Sequence, residues 1–290
     1  MTGGTIRLLR SGDETPLEMF LVKHRDTSMF LRSNVRHAGL DFTGQWAGAE
    51  YMASFDEDGV TGVAAHCWNG ILLLQAPGRA DALAVACVDT SRRAVRGLVG
   101  PPDQVDAARS ALGLTDVRAT MDKPEVLYAL DLEQHIVPAV SSGGGVTCRA
   151  PRPDERASLH AWGFAYDMET LGAPDTPEAR RRSADFMDAR IDENNAWVAV
   201  DRDGRLLSFS SFNAALPDIV QLGGIYTPPE LRGHGYAKAA VAHSLAVARE
   251  RGTTRAILFT SNPSAARTYE AVGFRQIGEY SLVLFEEGRP

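Results

Sequence analysis

Residues 222–237 read L-G-G-I-Y-T-P-P-E-L-R-G-H-G-Y-A and decide the fold of the second half of the chain. An apolar run over 219–226 predicts a β-strand that ends before Pro228. A glycine-rich turn follows, and the pattern predicts a helix of about four turns that begins near Tyr236 and stops at Gly252. The order of strand, glycine turn and helix predicts an anion-binding site at the turn.

The turn contains the residue types that an anion site needs. Gly233 and Gly235 permit positive φ angles, so several backbone N–H groups can converge on one oxyanion. The positive end of the following helix favours phosphate, and Arg232 and Lys238 add charge on either side. The spacing fits neither a Walker loop nor a dinucleotide fingerprint, because Lys238 stands where the third glycine of the fingerprint belongs. The alternative is a structural turn that only caps a surface helix.

Two sequence blocks together resemble the GNAT superfamily of N-acetyltransferases. Residues 232–237 match its Q/R-x-x-G-x-G/A signature, and residues 262–274, N-P-S-A-A-R-T-Y-E-A-V-G-F, are similar to its N-x-x-A-x-x-x-Y-x-x-x-G-F segment. A predicted helix and strand separate the two blocks, as in the family. The resemblance covers roughly residues 146–285. It implies an acetyl-CoA-dependent N-acetyltransferase that acts on a primary amine.

The resemblance also implies roles for individual residues. The end of the strand would hold the pantetheine arm and the thioester, and the loop would bind the pyrophosphate. Tyr269, four residues before Gly273, would act as the general acid that protonates or steadies the CoA thiolate. The implied cofactor-binding residues are Ile225, Tyr226, Thr227, Arg232, Gly233, His234, Gly235, Tyr236, Ala237, Lys238, Asn262, Ala265 and Tyr269.

The general base is the point where this sequence departs from many members of the family, which carry a glutamate on this strand. Residues 219–226 contain no carboxylate, and Gln221 cannot accept a proton. Aromatic residues Trp162, Phe164 and Tyr166 lie where relatives line the acceptor cleft, with core packing as the alternative. The candidates left open for the base are Glu169, Asp167, Asp218, His234 and a water molecule held by backbone groups.

The composition is that of a soluble globular protein, with 44% hydrophobic and 23% charged residues among 290. Three cysteines (Cys67, Cys87 and Cys148) lack a C-x-x-C spacing, and no H-E-x-x-H motif occurs, so we expect neither disulfides nor a metal.

The net charge of −7 disfavours nucleic acid as a partner. Without an apolar span or signal core we expect a cytoplasmic protein with no membrane partner. The acceptor, a small-molecule amine or a protein lysine, stays open, and so does a homodimer.

A glycine- and serine-rich spacer over 138–145 divides the chain into domains at 1–137 and 146–290. The first half predicts two helices, three strands, and then helix, strand, helix, strand; the second half repeats this order after a leading strand. Residues 107–110, A-A-R-S, parallel 265–268, A-A-R-T. We therefore expect an α+β or α/β fold of two tandem GNAT-like domains, each a mixed, mostly antiparallel twisted sheet flanked by helices.

The first domain lacks the residues implied for acetyl-CoA binding. Its loop at 75–81, Q-A-P-G-R-A-D, has one glycine and an aspartate that would repel phosphate. Ala111 takes the place of Tyr269. We expect a degenerate domain that shapes the substrate cleft or only docks. The alternatives for the whole chain are a non-catalytic acyl-CoA-binding or sensing module, and a tandem acyltransferase that resembles mycothiol synthase.

Overall fold

The computed structural model describes residues 5–135 and 145–289, which form two compact units. The first unit contains the chain up to residue 126 and again from 278 on, and the second contains 127–277. The predicted spacer lies almost wholly outside the described residues, so the domain limits of 1–137 and 146–290 stay a prediction. The compact units differ from those limits because the end of each sequence half packs with the other half's residues.

The described residues form twelve strands and eight α-helices. In chain order, the first ten are β1 (Thr5–Leu8), α1 (Glu14–Lys23), α2 (Met29–Ala38), β2 (Ala49–Asp56), β3 (Gly59–Cys67), β4 (Ile71–Gln75), α3 (Ala80–Ser91), β5 (Val95–Gly100), α4 (Pro102–Ala111) and β6 (Ala119–Asp131). The others are β7 (Thr147–Arg149), α5 (Arg156–Leu171), α6 (Pro177–Asp192), β8 (Ala196–Val200), β9 (Leu206–Ala215), β10 (Ile219–Tyr226), α7 (Tyr236–Glu250), β11 (Arg255–Thr260), α8 (Pro263–Glu270) and β12 (Arg275–Arg289).

The first unit is a mixed sheet with the strand order β1-β2-β3-β4-β5-β12. Its neighbours pair antiparallel except for β4 and β5, which are parallel and connected through α3. The apolar side chains of α3 and α4 bury one face of this sheet, with Leu83 and Val105 among the buried residues. Strand β12 contributes Val283 and Phe285 to the same core, so the last strand of the chain completes this unit.

The second unit repeats the arrangement with the order β7-β8-β9-β10-β11, and the end of β6 lies beside β11. Strands β10 and β11 are its parallel pair, connected through α7. Val198 and Ala199 are consecutive in β8 and therefore point to opposite faces of the sheet. Val198 packs with Leu159 and Met187 of α5 and α6, whereas Ala199 packs with Ala240 of α7.

The predicted fold class is confirmed, because both units are mixed, mostly antiparallel sheets flanked by helices. Two details differ from the sequence prediction. Strand β1 precedes the first helix, and β6 begins at Ala119, whereas the sequence predicts a strand only over 126–132. Both segments are held by pairing with distant strands, β1 with β2 and β6 with β12, which local sequence does not encode. No helix in the described part of the chain is both long and apolar enough to cross a membrane.

Candidate active site

Strand β10 leaves its parallel neighbour before it reaches the glycine loop. Pairing with β11 covers the first three residues of β10, and β10 then continues for five more. On its other side the register with β9 shifts between Gly223 and Tyr226, where Gly224 has a φ of 66°. The separation from β11 and the irregular register with β9 leave the end of β10 outside regular pairing, and its role in binding the pantetheine arm and thioester stays a prediction.

Two serines of β9 hold this end of β10 in place. The Ser208 hydroxyl donates to the Tyr226 carbonyl over 3.1 Å and lies 2.8 Å from the Thr227 hydroxyl. The Ser211 hydroxyl donates to the Gly223 carbonyl over 2.7 Å. Neither serine was predicted as part of the site, because a serine on a strand has no spacing pattern that reveals its partner.

The glycine loop has the backbone conformation that its sequence predicts. Gly233 and Gly235 both have a φ of 81°, and Gly235 immediately precedes the first residue of α7. A Cβ atom built at either glycine would have nothing within 4 Å. Glycine is therefore required for the left-handed backbone and not because protein atoms crowd the loop. The loop is exposed, so its N–H groups can approach a ligand together with the positive end of α7.

Arg232, predicted to bind pyrophosphate, is paired with Glu169 of α5 in this structure. The two terminal nitrogens donate to both carboxylate oxygens over 2.8 Å each, and Nε donates to the Thr227 carbonyl over 2.9 Å. The pair raises the pKa of Arg232 and lowers that of Glu169. Both side chains are nearly half exposed, at 46% and 47%, so the pair is weak and a phosphate can compete for the guanidinium.

The candidates for the general base lie in three different surroundings. Glu169 is held ionised by Arg232, which makes it a poor proton acceptor. Asp218 stands at the opposite end of β10, roughly 30 Å of extended strand away from Thr227, which disfavours it as the base. Asp167 of α5 is half-buried, and burial raises its pKa despite the opposing effect of Ser183.

Three further polar residues near the site differ in their exposure. His234 is exposed in the loop and stacks on Tyr236 with ring centroids 5.5 Å apart. Gln221 is 1% exposed on β10, and its side-chain nitrogen has no hydrogen-bond partner among the described residues. Lys238 lies half-buried in the first turn of α7.

Helix α8 carries the second predicted block. Asn262 caps this helix: its Oδ1 accepts hydrogen bonds from the backbone N–H groups of Ser264 and Ala265, at 2.9 and 3.3 Å. The predicted contact between Asn262 and pantetheine would therefore use its Nδ2 group. Tyr269 is 8% exposed, and its ring packs edge-on against Phe274 at 6.1 Å. Its proposed role as general acid stays a prediction.

The aromatic residues of α5 divide between cleft and core. Trp162 lies beside the site, with its ring 6.1 Å from that of Tyr226, and Tyr166 is half-buried. Phe164 is 5% exposed and covered by the Arg180 guanidinium, 4.3 Å from its ring centre. A groove of about 460 Å³ runs along this helix and is lined by Ala161, Phe164, Ala165, Met168, Glu169 and Arg180.

In the first unit, the position that corresponds to the glycine loop is occupied by the unit's own side chains. The backbone N–H of Ala76, just after β4, donates to the Gln104 side chain over 2.6 Å. A Cβ atom at Gly100 would lie 2.8 Å from the Leu74 carbonyl oxygen, so β4 and β5 stay close together. Ala111, which replaces the tyrosine, ends α4. Among the described residues no group of three or more His, Cys, Asp or Glu side chains is placed to hold a metal.

Comparison with known proteins shows which family the region of this site resembles. Residues 162–274 match the acetyltransferase (GNAT) family model. These residues include most of α5, all of α6 to α8, the glycine loop and Tyr269. This part of the chain is therefore similar to the GNAT acetyltransferase family.

Individual relatives give the extent of the similarity. Over 54 residues the chain is 43% identical to an acetyltransferase of Agrobacterium fabrum, covering 19% of this chain and 39% of that protein. Over 190 residues it is 30% identical to a mycothiol acetyltransferase of Cellulomonas flavigena, covering 58% of this chain and 50% of that protein. The chain thus spans half or less of these curated relatives.

The whole fold is similar to that of a solved structure. The GCN5-related N-acetyltransferase from Sphaerobacter thermophilus aligns with a TM-score of 0.61 over 99% of this chain and 96% of that one. The sequence identity is 18%, so this likeness concerns the fold alone.

Proposed function

We propose that this protein is an acetyl-CoA-dependent N-acetyltransferase that acetylates a primary amine. The observation that carries the proposal is the pair of left-handed glycines, Gly233 and Gly235, placed between a strand that leaves its neighbour and the N-terminus of α7. Several backbone N–H groups near a helix start suit a pyrophosphate. GNAT acetyltransferases in general use acetyl-CoA.

The residues of this chain would divide the work of acetyl transfer. The loop and α7 hold the pyrophosphate, and the backbone at the end of β10 aligns the arm and polarises the thioester carbonyl. The amine nitrogen attacks the carbonyl carbon, the C–N bond forms, and the C–S bond breaks. The nitrogen loses a proton to a base, and the departing sulfur receives one from Tyr269.

Asp167 is the base that its surroundings favour. Burial raises its pKa, which brings a carboxylate nearer to the range in which it can take a proton from an ammonium group. Glu169 is less suited while Arg232 pairs with it. A water molecule held by backbone groups is the remaining route.

A second candidate is an acyl-CoA-binding or sensing module without turnover. It is favoured by the absence of a carboxylate from the sequence of β10, where Gln221 is buried instead. A narrower form of the enzyme proposal is a tandem acyltransferase similar to the mycothiol acetyltransferase relative.

The test is a calorimetric titration of acetyl-CoA into the whole chain, followed by thiol release with a panel of small amines and a lysine peptide. We expect one site per chain and turnover with part of the panel. Binding without turnover on any amine would favour the sensing module. A second site would contradict the closed first unit, and no binding would contradict both candidate functions.

A further inference from the structure

Arg190, near the end of α6, is a half-buried cation whose hydrogen bond goes to an uncharged group. Its Nη2 donates to the Asn213 side-chain oxygen over 2.8 Å. Burial lowers its pKa, and Tyr166, Asp167 and Glu193 oppose that effect from a distance. Within the described residues Arg190 forms no salt bridge. A partly desolvated guanidinium without a carboxylate partner is stabilised when a ligand supplies one.

The partner of Arg190 lies directly on strand β10. Asn213 is the residue at which the register between β9 and β10 first shifts. A Cβ atom at Gly223 would fall 1.8 Å from the Asn213 Nδ2 atom, so the amide packs against the glycine backbone itself. A side chain at position 223 would force the Asn213 amide to move, so glycine permits this close approach. The Arg190–Asn213 pair is fixed over the middle of β10.

This position is next to the segment that the proposed function assigns to the thioester. Gly223 is four residues before Thr227, roughly 13 Å along the strand, and the register shift lies between them. On the other side of the shift, Trp162 of α5 contacts Tyr226. The guanidinium of Arg190 thus lies beside the reacting segment and not at the pyrophosphate loop.

The groups near Arg190 have both signs of charge. Arg190 and the Asn213 amide offer hydrogen-bond donors. Asp167 offers a carboxylate that is close enough to raise the pKa of Arg190. A molecule that carries one carboxylate and one amine matches this arrangement. A doubly charged phosphate matches it less well, because Asp167 and Glu193 are both negative.

We propose that Arg190, held by Asn213, binds a carboxylate of the acceptor, and that the acceptor is an amino acid or a short peptide with a free carboxyl group. This proposal rests on the proposed acetyltransferase function. Arginine forms paired hydrogen bonds with carboxylates, which would fix the acceptor while its amine faces Asp167 and the thioester. Acetyl transfer then breaks the C–S bond, forms the C–N bond, and passes the amine proton to Asp167.

The experiment compares amino acids and dipeptides with their own C-terminal amides as acceptors for the full-length protein. We expect kcat/KM for the acids to exceed that for the amides by about 10- to 100-fold, the effect of one charged hydrogen-bonded pair. In Arg190→Met this preference should disappear through a higher KM for the acids, with kcat less affected. Arg190→Lys should retain part of it.

Two further variants separate the proposal from a folding defect. Arg181→Met removes an exposed cation from the same helix and should keep the preference. Asn213→Ala changes an exposed side chain and should raise the KM for acids by about 3- to 10-fold through loss of one hydrogen bond. Amides accepted as well as acids, or no acid accepted while acetyl-CoA still binds, would overturn the proposal. If the unmodified protein does not bind acetyl-CoA, that result instead refutes the proposed function.

Discussion

Substitution of Tyr269 distinguishes an acetyltransferase from a module that only binds acyl-CoA. Tyr269→Phe removes only the hydroxyl of a side chain that is 8% exposed, so the packing against Phe274 remains. If the hydroxyl protonates the thiolate, kcat falls by about 100-fold while the Kd for acetyl-CoA changes little. Steady-state kinetics and calorimetry measure the two quantities.

Tyr280→Phe is the matched control for this prediction. Its hydroxyl is also buried, and it donates to the Thr27 carbonyl over 3.3 Å in the first unit. We expect this variant to lower stability without changing kcat. An unchanged kcat in Tyr269→Phe would remove Tyr269 from the mechanism.

His66 predicts a pH dependence of stability at the scale of one residue. It is fully buried on β3, with Nδ1 2.7 Å from the Ser91 hydroxyl, and burial lowers its pKa from 6.5 to about 4. Between these values the unfolded chain binds a proton and the folded chain does not. The free energy of unfolding therefore falls with decreasing pH, by up to about 1.4 kcal/mol per pH unit. Below about pH 4 both states are protonated, and the loss stops.

Urea unfolding of the unmodified protein and of His66→Gln at pH 7.5, 6 and 5 tests this prediction. The difference between the two proteins isolates His66, because the other titrating groups are common to both. The unmodified protein should lose its advantage as the pH falls. Parallel pH profiles would mean that His66 is accessible to protons in the folded state.

The junction between the glycine loop and α7 is the element that anion binding requires. Gly235→Val forces a β-branched residue into a backbone with a φ of 81°, where only glycine is unstrained. The loop must then rearrange, and the N–H groups lose their common direction. We expect acetyl-CoA affinity to fall by at least about 100-fold, measured by calorimetry.

A glycine elsewhere provides the control for backbone strain. Gly204, in the turn between β8 and β9, has a φ of 83° and also has nothing within 4 Å of a Cβ position. Gly204→Val introduces the same strain away from the loop and should leave acetyl-CoA binding unchanged. Micromolar affinity retained in Gly235→Val would contradict the assignment of the loop.

At the scale of the whole molecule, each compact unit needs a strand from the other end of the sequence. Val283 of β12 pairs with Leu98 of β5 and lies in the first core. The backbone N–H of Leu132, just after β6, donates to the Thr254 carbonyl over 2.8 Å in the second unit. Separate production of residues 1–137 and 146–290 would therefore deprive both units of contacts.

We predict that each segment produced alone unfolds at a lower temperature than the full chain. Loss of β12 removes Val283 and Phe285 from the first core and leaves β5 as an open edge, which should cost at least about 3 kcal/mol. Thermal unfolding measures the effect, and coexpression of the two segments is the control because it supplies every strand. If each segment alone were as stable as the full chain, the two units would not need strands from each other's sequence half.

Local elements and the site's central loop could be predicted from sequence. Strand β10 was predicted with the bounds that the structure has, Ile219 to Tyr226, because an apolar run ends at two prolines. The positive φ angles of Gly233 and Gly235 were also predictable, since glycine spacing reflects a local backbone requirement. Asp218 directly precedes β10 and therefore lies at the end of the strand away from the loop, which disfavours it as the base.

The sequence by itself determined the order of strands and helices apart from β1, the repetition of that order in the two halves and the conformation of the glycine loop. These features depend on hydrophobic periodicity and on backbone angles, which act over a few residues. Only the tertiary structure decided which side chains meet. Glu169 reaches Arg232 across 63 residues, Asn213 packs on Gly223, and β12 completes the first unit. Such partners depend on the three-dimensional packing of distant segments, for which no local pattern exists.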